Sequence, residues 1–122
     1  MLEMKNCSDI LKYQYSIPCE CVAPLILESV DNDTVSGYII FECFGNESVI
    51  YAVDFNGDIA LCDGLVRAAM FKAYLSGIKN AKFSLCDSKA ADACRKLGFI
   101  KNDQSTIDID AVLNGCKGCK GS

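Results

Sequence analysis

The spacing of apolar positions changes once along the chain. Up to about residue 55 the apolar runs are short, rich in β-branched and aromatic side chains, and separated by turn residues. Val22-Ala23-Pro24-Leu25-Ile26-Leu27 opens a strand predicted over 23–30, and Asp31-Asn32-Asp33 supplies the turn chemistry that ends it. Gly37-Tyr38-Ile39-Ile40-Phe41-Glu42-Cys43 reads as the next strand. Gly45-Asn46 turns the chain into a third, Ser48-Val49-Ile50-Tyr51-Ala52-Val53-Asp54-Phe55. These make an antiparallel meander. The segment from Leu2 to Tyr13 is ambiguous and has room for a short helix, which Pro18 closes off.

From about Ala60 to Ser76 the spacing is helical, with Leu61, Leu65, Ala68, Ala69, Phe71, Ala73 and Leu75 recurring at intervals of three and four. Polar positions are few, so this helix is predicted to be largely buried. Asp58 or Asp63 caps its start and Gly77 its end. Ala81-Lys82-Phe83-Ser84-Leu85-Cys86 reads as a short strand, followed by a helix over 88–97 that Gly98 stops. A last strand is predicted near 105–109 and one helical turn over 110–114. The order is β-β-β-α-β-α-β. The long helix must carry the chain to a strand parallel to its neighbour, so the fold class is α+β with a mixed, mostly antiparallel sheet.

Within that order, the phrase Gly77-Ile78-Lys79-Asn80-Ala81 and the helix ending Arg95-Lys96-Leu97-Gly98-Phe99 resemble the GNAT family of acyl-CoA N-acyltransferases. The resemblance covers about residues 37–100, or 22–110 with the flanking strands, and its N-terminal part is shortened. It implies transfer of an acetyl group from acetyl-CoA to an amine. In that family a loop patterned Gln/Arg-x-x-Gly-x-Gly/Ala holds the coenzyme A pyrophosphate on free N–H groups at a helix N-terminus. The matching residues here are Gly57, Asp58, Ile59, Ala60, Leu61 and Cys62, followed by Asp63. Ala60 and Cys62 stand where the family has glycines, so the loop is degenerate, and two carboxylates compete with a phosphate for the same N–H groups. The backbone of Val53 and Phe55 completes the implied cofactor pocket. Many members place a catalytic tyrosine four residues before the Gly of Leu-Gly-Phe, and that position is Cys94 here. Glu42 is the carboxylate nearest to where such enzymes often keep a base, although a strand glutamate usually faces solvent.

Composition narrows the chemistry. The chain has 122 residues and no linker, which suits a single domain over 1–122 with a Cys/Gly/Lys-rich tail at 115–122. There is no histidine, which excludes a Ser-His-Asp triad and any imidazole metal ligand. The net charge of -4 argues against a nucleic-acid surface. No apolar run suits a membrane span, and the N-terminus lacks a signal-peptide pattern, so a cytoplasmic protein is expected.

Nine cysteines cannot all pair internally. Cys43, Cys62, Cys86 and Cys94 fall in predicted strands or helices and read as core. Two local pairs remain, Cys19-Glu20-Cys21 and Cys116-Lys117-Gly118-Cys119. Each supplies half of a thiolate zinc or iron–sulfur site, which gives an alternative function as a non-catalytic thiol or metal-binding module on the same scaffold. Residues 1–20 are too short for the helices that usually open this family. An uncovered sheet face closed by a second subunit, a homodimer, is therefore expected.

Overall fold

A computed structural model describes residues 2–101 and 106–119, with side chains described through residue 114. Six strands form one sheet in chain order: β1 (Leu2–Asn6), β2 (Leu25–Asp31), β3 (Thr34–Phe44), β4 (Glu47–Asp54), β5 (Asn80–Phe83) and β6 (Thr106–Asp108). Every neighbouring pair is antiparallel except β4–β5, which is parallel. Helices α1 (Ile59–Leu75), α2 (Ser88–Lys96) and α3 (Ile109–Cys119) complete the domain. This is the predicted α+β class with a mixed, mostly antiparallel sheet.

The ends of the chain differ from the sequence reading. Leu2–Asn6 is a strand, because it finds a ladder partner in β2, from Leu2↔Asp31 to Asn6↔Leu27. Only a single 3-10 turn, Ile10–Tyr13, precedes β2. The predicted turn after β6 is the longer helix α3, started by the Asp108 carboxylate accepting from Asp110 and Ala111 N–H. Asn32 and Asp33 both take positive φ (52° and 68°), which suits the two-residue hairpin joining β2 to β3.

One face of the sheet carries the main core. Ile39, Phe41 and Ile50 pack there against Leu65, Val66, Ala69 and Met70 of α1 with essentially no exposure. The opposite face carries a smaller cluster of Tyr13, Ile26 and Ile40, with the Tyr13 and Tyr38 ring centroids 4.3 Å apart. Ile26 is 3% exposed and Ile40 not at all. The short N-terminal segment thus covers the part of this face around Ile26 and Ile40, which a second subunit was expected to close.

A register shift between Ile40 and Phe41 marks a bulge, in which β4 contributes the extra residue Tyr51. The bulge lets Ile50 and Val53, three apart, share the helix face, while Tyr51 bonds with Glu42 on the other. Bulges sharpen strand twist and end regular pairing. Here the bulge falls where β4 leaves β5.

Candidate active site

The cleft arises from strands that separate. β4 and β5 pair from Glu47↔Asn80 to Ile50↔Phe83, and the Ser84 N–H closes the ladder on the Ile50 carbonyl at 2.8 Å. Beyond that bond β4 continues to Asp54, while the chain after β5 turns away to start α2. Among the described residues, the edge of 51–54 that faces β5 is therefore left without a strand partner. A cavity of about 780 Å³ opens beside it. Tyr51 to Gly57 form one wall, Cys86, Asp87 and Lys89 another, and Tyr38 with residues 15–18 the rest.

Two helix starts lie at this cleft. Asp58 caps α1, its Oδ1 accepting from Ala60 N–H at 3.0 Å and Leu61 N–H at 3.3 Å. Asp87 caps α2, its Oδ1 accepting from Lys89 N–H at 3.1 Å. Both helices thus spend N–H groups on their own carboxylates, the cheapest way to satisfy orphan donors at an exposed helix start. Asp54 and Asp87 make the lining acidic, with Asp58 next in the chain after the lining residue Gly57, and Lys89 is the cation in the lining.

Beneath the wall lies a buried acid. Glu42 is 5% exposed. Its Oε1 accepts from the Tyr51 hydroxyl at 2.6 Å, and its Oε2 from Val22 and Ala23 N–H at 3.2 and 3.1 Å. Desolvation pushes the Glu42 carboxyl up, but the bonds from Tyr51, Ala23 and Val22 outweigh it and hold it below the ordinary range. Burial, then the bond to Glu42, pushes the Tyr51 phenol well above its ordinary value. The pair is therefore a carboxylate and a neutral phenol, and Tyr51 is among the residues that line the cleft. Tyr51→Phe should remove the short bond to Oε1 of a buried carboxylate, leaving it only the longer one from Val22 N–H at 3.4 Å, and cost about 2 kcal/mol, read by urea unfolding. A loss below about 0.5 kcal/mol would show that the bond carries no net stability.

The residues singled out in the sequence separate into groups. Val53, Phe55 and Gly57 line the cleft. Asp58, Ile59 and Ala60 are exposed at the start of α1, whereas Leu61 and Cys62 turn into the core. Asp63 pairs with Arg67 at 2.9 Å along the helix, as spacing of four allows. Cys94 is fully buried outside the cleft lining, where its hydrogen bond to Cys62 and burial push the thiol up. Cys86, read as core, is exposed in the cleft wall because β5 ends at Phe83.

Cys19 is exposed and Cys21 half-buried in the stretch before β2. Burial, and after it the Glu42 charge, push the Cys21 thiol up to about 11, which keeps it protonated at neutral pH and a weak metal ligand. Cys116 and Cys119 lie outside the described side chains. Among the described residues no group of three or more Cys, Asp or Glu side chains could hold a metal. The seven described cysteines are free thiols. No helix of the described residues is long and apolar enough to cross a membrane.

Sequence reasoning missed the Glu42–Tyr51 pair and the part played by Asp54, Cys86, Asp87 and Lys89. The alternation Phe41-Glu42-Cys43 does place Glu42 on the face opposite Phe41. It does not show that residues 22 and 23 fold over that face.

No protein-family model matches the chain, and no curated protein matches it by sequence. Solved structures do. A mutant of the AtaT toxin, bound to the C-terminus of the antitoxin AtaR, superposes with a TM-score of 0.65 at 13% identity, over 93% of this chain and 96% of that one. A protein of the GNAT family from Desulfovibrio desulfuricans gives 0.57 at 9% identity, over 80% and 82%. The PaiA N-acetyltransferase of Thermoplasma acidophilum, in complex with coenzyme A, gives 0.53 at 12% identity, over 81% and 64%. At these identities the likeness concerns the backbone. The chain has the fold of the GNAT acyl-CoA N-acyltransferases.

Proposed function

We propose that this chain is an N-acyltransferase that takes its donor, a thioester of the acetyl-CoA class, through the acyl–pantetheine arm rather than through the pyrophosphate. The observation that carries this reading is the parting of β4 from β5 after Ile50. The open edge of 51–54 offers backbone donors and acceptors to a ligand arm that is itself built of amides, as a strand would. The PaiA neighbour, which carries coenzyme A, supports the choice of donor class.

The fit is good for one half of such a donor and poor for the other. The 780 Å³ cavity is of the size that takes a small-molecule ligand. The α1 N-terminus, where a pyrophosphate would sit, is filled by Asp58, and Asp54 and Asp87 add to the negative rim. When bound, such a donor supplies an activated acyl group. The chain's own contribution is to line the site with Tyr51, to hold that phenol on Glu42, and to draw a cationic amine acceptor to the acidic rim. Free thiols at every described cysteine suit the reducing cytoplasm, where this reading places the protein.

Isothermal titration with acetyl-CoA and with S-acetyl-pantetheine, which lacks the phosphates, tests the proposal. Both should bind, with the phosphate-free donor at least as tight, in the range of about 0.1–1 mM. Absence of heat from either ligand at ~1 mM would sink the reading. Acetyl-CoA binding far tighter than the pantetheine thioester would sink the assignment of the arm.

A further inference from the structure

We propose that β1 is the contact strand of a symmetric homodimer, in which two copies join their sheets edge to edge with Met4 on the two-fold axis. Among the described residues, β1 is the first strand of the sheet and has β2 as its neighbour on one side only. The register runs from Leu2↔Asp31 to Asn6↔Leu27, and the next residue, Cys7, donates its N–H to Ile26 at 2.8 Å. Backbone groups alternate sides along a strand. Those of Glu3 and Lys5 therefore turn to β2 with those of Cys7, and those of Leu2, Met4 and Asn6 turn outward. An outward row of this kind is a ready template for another strand.

The side chains select the occupant. Glu3 and Lys5 stand on the face away from α1, 54–57% exposed, and touch each other at 3.5 Å. In an antiparallel pair of two β1 strands centred on Met4, Glu3 of each copy falls opposite Lys5 of the other. Those positions form a non-hydrogen-bonded pair, whose side chains approach most closely. Met4 pairs with its own copy, and Leu2 with Asn6. Sliding the strands by one allowed step puts Glu3 opposite Glu3 or Lys5 opposite Lys5, which like-charge repulsion disfavours. The strand is thus complementary to itself in one register. Lysine on an edge normally deters pairing, but here each lysine meets a glutamate.

The helix face of the strand agrees. Met4 is half-buried, its Cε close enough to Gly64 of α1 that a β-carbon there would stand 3.3 Å away, so an outward backbone can pair without moving the side chain. Leu2 is half exposed and would be covered. The cleft lies at the β4–β5 split, on the far side of β2 and β3, so pairing leaves it open. This inference therefore stands apart from the proposed activity.

Charge swapping tests it, read by sedimentation equilibrium. The native chain should dimerise. Glu3→Lys and Lys5→Glu should each weaken the dimer about tenfold or more by placing like charges opposite one another, and the double swap should restore it. Met4→Pro removes an outward N–H that β2 does not use, so it should abolish the dimer while the thermal transition persists. A native chain that is monomeric at ~0.2 mM overturns the proposal, since its affinity would then be too weak for a specific interface. So does a dimer indifferent to Met4→Pro, or one that the double swap fails to restore.

Discussion

Asp58→Asn should tighten acetyl-CoA binding about tenfold and leave S-acetyl-pantetheine binding unchanged. Asp58 occupies the N–H groups of Ala60 and Leu61 at the start of α1, where a pyrophosphate would need them. Its charge, at ~8 Å from a phosphate and an effective dielectric of ~20, repels by about 2 kcal/mol. Exposure and salt reduce that to about 1.4 kcal/mol, which is tenfold in affinity. Asparagine caps a helix about as well as aspartate, so stability should stay within roughly 1 kcal/mol of the native chain. The substitution therefore isolates charge from folding. Titration of both ligands against the variant checks it, and equal acetyl-CoA affinity in the two proteins would show that the phosphates never approach α1. Tighter binding of both ligands would instead place the pantetheine arm at the helix start.

Gly37→Ala should destabilise the fold by about 3 kcal/mol or more and lower the melting temperature by about 10 °C or more. Gly37 lies on β3 beside Tyr38, whose register partner is Asp54 at the end of β4. A β-carbon at Gly37 would stand 2.4 Å from the Asp54 carbonyl oxygen, 3.1 Å from Leu61 Cδ2 and 3.3 Å from Leu65 Cδ1. Side-chain tips can yield by a few tenths of an ångström, but the carbonyl belongs to the strand end that walls the cleft. Accommodation must move that strand end or the start of α1. The same variant should therefore also lose binding of S-acetyl-pantetheine. Melting within 2–3 °C of the native protein, a change of less than about 1 kcal/mol, would show that β4 yields there at little cost.

The difference between these two positions shows how far the sequence could be read. Asp58 was legible as a competitor for phosphate because the competition is local: a carboxylate one residue before a helix bonds to that helix whatever surrounds it. Gly37 was not, because its neighbours Asp54, Leu61 and Leu65 are 17 to 28 residues further along the chain. The meander, the long helix and the second helix were legible from period changes and turn residues, since those signals lie within one element. The strand at Leu2–Asn6 escaped because five residues are too few to display a period that excludes a helix.

The amino-acid sequence by itself determined the α+β order, the absence of imidazole chemistry and the acidic start of α1, all of which rest on composition or on neighbours in the chain. Only the tertiary structure decided which carboxylate is buried, that the cleft opens after Ile50, and that Cys94 is sealed in the core while Cys86 lines the cleft. Each of these depends on what a distant segment covers. Residues 22 and 23 satisfy Glu42, Cys62 meets Cys94, and β5 ends three residues before Cys86. Burial is a property of the whole packing, and local pattern constrains only which face a side chain takes.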